Sequence, residues 1–222
     1  MLRRLLKLLY RALEPRQYSR SSHFNAAHLE GIDGVVLDVG CGGFLSKYAF
    51  PAGVRYYGLD ITSRATHVRG DAHRLPFRDA CVDWVLLVAT LEHVVDPARV
   101  LSEVRRVLCP NGRAYIAVPF LQMEHGDTDF WRWTEDGLGR LVELSGLKVL
   151  RHGVNGGFYV ALDYLLWHRF REACRKRDPG MALGALALKV VVQPIAHLVR
   201  DVDSSTYATS FHVLACRPGE PT

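Results

Sequence analysis

The chain has 222 residues, 49% hydrophobic and 23% charged, which gives it the apolar material for one full core and argues against a disordered chain. Its net charge of +5 is carried by residues 1–20, where Arg3, Arg4, Lys7, Arg11, Arg16 and Arg20 face only Glu14, so the remainder is neutral. With one further basic run, Arg175-Lys176-Arg177, and no aromatics interleaved with it, nucleic acid is disfavoured as a substrate. Cys41, Cys81, Cys109, Cys174 and Cys216 are scattered without a C-x-x-C, which argues against a disulfide framework or a cysteine metal site and suits a reducing cytoplasm.

Residues 2–13 predict an amphipathic helix: Leu2, Leu5, Leu6, Leu9 and Leu13 share a face, and Arg3, Arg4, Lys7 and Arg11 lie elsewhere. Lys7 and Arg11 interrupt the apolar stretch and no small-residue cleavage site follows, so a signal peptide is not expected. The expected organisation is a basic helix over 1–20 and one domain over 21–222. The helix either packs on that domain or anchors it peripherally on the inner face of a membrane.

Val35, Val36, Leu37 and Val39 read as a strand buried on both faces that runs into Gly40-Cys41-Gly42-Gly43. Glycines there let the backbone turn tightly and approach a ligand. The dinucleotide pattern needs a glycine at position 45, where Leu45 stands, and no G-x-x-x-x-G-K-[ST] loop occurs. Asp38, two residues before Gly40, would repel a pyrophosphate but suits a cationic ligand such as S-adenosylmethionine, which carries sulfonium and amino groups. The alternative is an ordinary strand-to-helix turn with a capping aspartate.

A short helix over 45–50, stopped by Pro51, and a second strand over 55–59 follow. Asp60, about 20 residues past the glycine turn, can accept hydrogen bonds from both ribose hydroxyls, or can cap the next turn with Thr62 and Ser63. An edge strand over 66–69 leads to Gly70-Asp71-Ala72, and an apolar run over 82–88 makes the fourth strand. Asp96-Pro97 starts a helix that buries Val100, Leu101, Val104, Val107 and Leu108. Pro110-Asn111-Gly112 ends that helix before a fifth strand over 114–118. Thr134 caps a further helix with Leu138, Leu141 and Val142 inward, and a sixth strand covers 147–150. An aromatic-rich helix is expected over 158–171. The apolar run 181–192 is short for a membrane span and predicts a buried helical hairpin, or else an interfacial patch. The last strand covers 210–216. Alternating strands and helices imply a doubly wound, Rossmann-like, seven-stranded and mostly parallel sheet with helices on both faces, plus a helical insertion over about 156–205 before the last strand.

Five segments in order resemble the class I S-adenosylmethionine-dependent methyltransferases, and within them the type 11 methyltransferase family. They are Leu-Asp-Val-Gly-Cys-Gly at 37–42, Tyr-Gly-Leu-Asp at 57–60, Gly-Asp-Ala-His-Arg-Leu-Pro-Phe at 70–77, Leu-Glu-His-Val-Val-Asp-Pro at 91–97 and Arg-Arg-Val-Leu-Cys-Pro-Asn-Gly at 105–112. The resemblance implies that Asp38, Gly40, Cys41 and Gly42 surround the methionine end of S-adenosylmethionine. It also implies that Asp60 and Ile61 hold the ribose side, that Asp71 and Ala72 meet the adenine, and that Val88 to His93 pass beside the sulfonium. Two departures stand out: Phe44 where a third glycine is common, and Asn111 where a glycine is usual. The string Asp129-Phe130-Trp131-Arg132-Trp133-Thr134 is similar to one found in a subset of these enzymes associated with glycan or natural-product pathways.

Methyl transfer needs the nucleophile aligned with the methyl carbon, water excluded and, for a hydroxyl, a proton removed. His93, just past the fourth strand, is the first candidate base, with His125 and Asp127 as a second pair. Glu92 and His93 alternatively orient the following turn, and His125 and Asp127 alternatively bond within their loop to Arg132. The expected activity is methylation, O-methylation first, of a small-molecule, glycan or lipid-linked acceptor. The alternatives are a non-catalytic S-adenosylmethionine-binding subunit or scaffold and, opposed by Leu45 and Asp38, a nicotinamide oxidoreductase.

Overall fold

The computed structural model describes residues 29–43, 50–198 and 205–219. The helices expected over 2–13 and 45–50 lie outside them.

Seven strands form one sheet in the order β3-β2-β1-β4-β5-β7-β6. They are β1 (Val35–Val39), β2 (Arg55–Asp60), β3 (Val68–Arg69), β4 (Val82–Val88), β5 (Leu108–Pro119), β6 (Lys148–Asn155) and β7 (Ser210–Cys216). β1 to β5 pair in parallel, and β7 runs antiparallel to β5. The chain reverses its direction of strand addition between β1 and β4, and in such sheets ligands bind beyond the carboxyl ends of the strands at that point. The doubly wound sheet expected from the sequence is the one observed.

Side chains alternate across the pleat. Val36, Trp84, Leu86, Val88, Tyr115, Ala117 and Leu214 therefore share one face and pack with Leu29 and Ile32. Helix α1 (Pro97–Val107) buries Val100, Leu101, Val104 and Val107, and Asp96 caps it by accepting from the Arg99 N–H at 3.0 Å. Helix α2 (Glu135–Leu144) buries Leu138 and Val142 and is capped by Thr134.

β5 begins at Leu108, six residues before the expected start. Helix α1 does end there, but the chain enters the sheet at once, and its register against β4 slips between Val82 and Trp84. Asn111 sits at φ +64°, inside this irregularity. Asparagine is the residue that best replaces glycine in left-handed backbone, so the departure at 111 is mild. At Gly112 an added Cβ would lie 2.9 Å from the Cys109 carbonyl oxygen, which restricts that position to glycine.

Two compact units divide the chain. The larger contains the elements above through Gly153, with β7. The smaller comprises Leu121–Met123 and the described part of Val154–Thr209, and is built on helices α3 (Phe158–Lys176) and α4 (Pro179–Leu198). The expected helical hairpin is present, but its second helix is neither short nor buried. Pro179–Ala196 makes α4 the one helix among the described residues long and apolar enough to cross a membrane, by length and composition only. Leu183, Leu188, Val190, Val191 and Leu198 are exposed. The opposite face buries Ala185, Lys189 and Ala196, at i, i+4 and i+11. Lys189 places its Nζ 2.5 Å from Asp163 Oδ1 and 5.7 Å from the centroid of the Trp167 ring. Burial pulls the Lys189 ammonium below the ordinary lysine value, while Asp163 pulls the other way.

Candidate active site

The glycine turn joins the ends of three strands. Gly40, Gly42 and Gly43 all have positive φ, at 75°, 61° and 76°. The N–H groups of Gly40 and Cys41 both donate to the Leu59 carbonyl, at 2.8 and 3.1 Å. A Cβ on Gly40 would come within 2.5 Å of Thr90 Oγ1, and that hydroxyl donates to the Val39 carbonyl at 3.0 Å. Thr90 thus ties the end of β4 to the turn after β1. Asp38 is buried and accepts the Tyr56 hydroxyl at 2.7 Å. Cys41 is buried with its Sγ 3.4 Å from Thr66 Oγ1, and Val88 is buried at the end of β4.

Asp60 caps the next turn with one carboxylate oxygen and meets the glycine turn with the other. Its Oδ1 accepts the Thr62 and Ser63 N–H groups and the Thr62 hydroxyl, at 2.9, 2.8 and 3.1 Å, which is the turn cap. Its Oδ2 accepts the Gly42 N–H at 2.8 Å. Burial pushes this carboxyl up, but the bonds from Ser63, Thr62 and Gly42 outweigh it and hold the group below the usual aspartate range. A carboxylate oxygen accepts about two hydrogen bonds. Oδ2 therefore retains capacity for a ribose hydroxyl, whereas Oδ1 can gain one only by releasing a donor such as the Thr62 hydroxyl.

The Gly70 N–H donates to the Asp60 carbonyl at 3.1 Å, which places Asp71 beyond the neighbouring strand end. Asp71 accepts the His73 N–H at 2.9 Å and lies 2.7 Å from His73 Nδ1, leaving Ala72 in the intervening turn. Ile61 is exposed next to Asp60, and its carbonyl accepts from Arg69 Nε. Carboxylates at the ends of β1, β2 and beyond β3, over a turn of bare glycine backbone, fit a ligand bearing hydroxyl, amino and sulfonium groups.

The second part of the site lies after β4. Residues Leu91–His93 form a 3-10 turn, and the loop after β5 is strapped across it. The Phe130 N–H donates to the Glu92 carbonyl at 2.7 Å and Trp131 Nε1 to the Val94 carbonyl at 2.8 Å. His93 Nδ1 bonds the Thr128 carbonyl. The strap brings His93 and His125 together, their ring centroids 4.8 Å apart and nearly perpendicular.

His125 and Asp127 do not form the expected pair. Asp127 is exposed, and the carboxylate beside His125 is Asp129: Asp129 Oδ2 accepts the His125 N–H at 3.0 Å and lies 3.2 Å from His125 Nδ1. Arg132 grips Asp129 with two nitrogens, so it serves Asp129 and not Asp127. Burial raises the Asp129 carboxyl, and the bonds from Arg132 and His125 bring it below its usual range. The signal was legible as His125, Asp129 and Arg132 at i, i+4 and i+7. Glu92 was underread: it does not cap its turn but is fully buried, with no hydrogen-bond partner on its carboxylate among the described residues.

A parallel sheet with a topological switch, a glycine turn and carboxylates on successive strand ends suit a nucleoside-bearing cofactor. Residues 37–116 match the family described as a methyltransferase domain. Over that stretch the chain is similar to S-adenosylmethionine-dependent methyltransferases. It is 32% identical over 162 residues to an uncharacterized 37.1 kDa protein in transposon TN4556 of Streptomyces fradiae, covering 62% of this chain and 47% of that protein. It is 34% identical over 115 residues to a phthiotriol/phenolphthiotriol dimycocerosates methyltransferase of Mycobacterium ulcerans, covering 44% of this chain and 42% of the relative. The chain thus spans less than half the length of these curated relatives. A crystal structure of a SAM-dependent methyltransferase from Aquifex aeolicus superposes with a TM-score of 0.54 at 16% identity, covering 94% of this chain and 96% of the other, a likeness of fold.

Proposed function

We propose that the chain is an active methyltransferase that O-methylates a small-molecule, glycan or lipid-linked acceptor. The observation that carries this is the orientation of His93. Because Nδ1 faces the Thr128 carbonyl, it is the nitrogen that bears the proton, and Nε2 is left with a lone pair at the carboxyl edge of β4. S-adenosylmethionine supplies an electrophilic methyl group: as the acceptor oxygen forms its bond to that carbon, the carbon–sulfur bond breaks and sulfur keeps the electron pair. Asp60 binds the ribose through Oδ2, Asp71 and Ala72 hold the adenine, and Asp38, Gly40, Cys41 and Gly42 enclose the methionine end beside Val88. His93 Nε2 takes the hydroxyl proton. Trp131 and Phe130 are exposed on the strap and wall the acceptor side.

A lipid-linked acceptor has a further support: the exposed apolar face of α4, which suits peripheral contact with the inner face of a membrane.

The test is calorimetric titration with S-adenosylmethionine and S-adenosylhomocysteine, on wild type and Asp60→Ala, followed by a screen of hydroxylated glycans and lipids for methyl uptake. Micromolar binding lost in the variant, with product formed by wild type and lost in His93→Asn, is expected. Cofactor binding without turnover on any acceptor would favour the scaffold alternative, and no binding would overturn the assignment.

A further inference from the structure

Glu92, His93 and His125 each offer one ligand atom, and all three atoms lie within 4.8 Å of one another. Glu92 Oε1 is 3.7 Å from His93 Nε2 and 3.5 Å from His125 Nε2. Ligands bound to zinc at about 2.0–2.1 Å on tetrahedral corners stand roughly 3.3 Å apart, so the two Glu92 separations need only a small contraction and the two histidine nitrogens must close from at most 4.8 Å.

The surroundings match what metal ligands require. A metal-bound histidine donates its other ring nitrogen to a carbonyl or carboxylate, which fixes the tautomer and the ring plane. His93 Nδ1 bonds the Thr128 carbonyl, whereas His125 Nδ1 stands at ion-pair distance, 3.2 Å, from Asp129 Oδ2. Asp129 is in turn clamped by Arg132. Both Nε2 atoms are thereby turned toward Glu92. The Glu92 carboxylate is wholly buried without a hydrogen-bond partner among the described residues, an expensive condition for a charge unless a cation sits against it.

We propose that Glu92, His93 and His125 bind a divalent transition-metal ion of the zinc class. Two imidazoles and one carboxylate disfavour magnesium and calcium, which take oxygen ligands, and three protein ligands leave a fourth position open. That position takes an acceptor oxygen, which deepens the methyltransferase assignment and rests on it for its role, though not for the binding itself. With the metal in place, His93 Nε2 is a ligand. A cation there would acidify a hydroxyl at its open position, and solvent buffer would then take the proton that His93 Nε2 takes in the metal-free protein.

The experiment titrates the tag-free full chain, stripped of metal, with Co²⁺ by absorption and with Zn²⁺ by competition. S-adenosylhomocysteine binding is measured by calorimetry on the same samples. Intense visible cobalt bands displaced by Zn²⁺ are expected in wild type and absent in Glu92→Gln and His125→Ala. Asp129→Asn, which removes a charge behind a ligand, should weaken Zn²⁺ about 10–100-fold. S-adenosylhomocysteine binding retained in Glu92→Gln shows that variant to be folded. Wild type that binds the nucleoside but neither metal overturns the metal site and leaves the transferase standing. Equal metal affinity in wild type, Glu92→Gln and His125→Ala overturns it too. Loss of nucleoside binding in wild type overturns the transferase, while the cobalt bands still report on the metal.

Discussion

Gly42 donates its backbone N–H to Asp60 Oδ2 at 2.8 Å, so the turn after β1 and the carboxylate at the end of β2 are a single bonded unit. Shape and charge at the cofactor end are coupled through that bond, and the glycines of the turn carry part of the stability of the strand ends as well as the binding surface.

Gly40→Ala is expected to destabilise the protein by at least about 2 kcal/mol, from left-handed backbone at an alanine and from the Cβ driven against Thr90. Urea unfolding measures it. Adding Thr90→Ala should recover part of the loss, the steric part and not the backbone part. Strict additivity of the two substitutions would show that Thr90 is not the obstacle.

Glu103 makes stability depend on pH at the acid end. Hydrogen bonds from Arg106 lower its carboxyl, burial opposes them, and the Leu75 N–H at 2.9 Å adds to the lowering. The folded pKa lies below the unfolded one, so the contribution is fully present above about pH 4.3 and drains away as pH falls through the folded value. Glu103→Gln should cost about 1–3 kcal/mol at neutral pH and flatten the fall of the urea midpoint below pH 4. An unchanged acid slope would refute the assignment.

Trp131→Phe removes the indole N–H that bonds the Val94 carbonyl. The expected cost is about 1 kcal/mol, with S-adenosylhomocysteine affinity unchanged on the proposed reading, in which the strap walls the acceptor. A large loss of nucleoside affinity would place the strap in the cofactor site instead.

The exposed face of α4 predicts association with anionic vesicles. Leu188→Glu with Val191→Glu should abolish co-sedimentation without altering the cofactor titration. Failure of wild type to sediment would remove the membrane contact.

The strands were legible because a doubly wound sheet writes itself in short apolar runs closed by glycine or aspartate: β1, β4 and β7 fall where the sequence puts them. Asp60 and Asp71 were legible for the same reason, the first closing β2 and the second two residues past β3. The bulge in β5 was not, since Pro110-Asn111-Gly112 reads equally as a helix stop or as a kink within a strand. Nor was the partner of His125, because Asp127 and Asp129 flank the same loop and only its path over Glu92 decides between them. The burial of Glu92 depends on residues more than thirty positions away, and no local pattern records it. Helix α4 misled through composition: apolar residues all round it suggest burial, whereas one lysine faces inward and the leucines and valines face out.

That lysine fixes the azimuth of α4. A helix of leucine, alanine and valine has little to choose one rolling angle over another, and each residue of slip turns it by about 100°. The bond from Lys189 to Asp163 and the Trp167 ring beneath it supply the missing index mark. The exposed apolar face of α4 is therefore aimed by a fully buried charge.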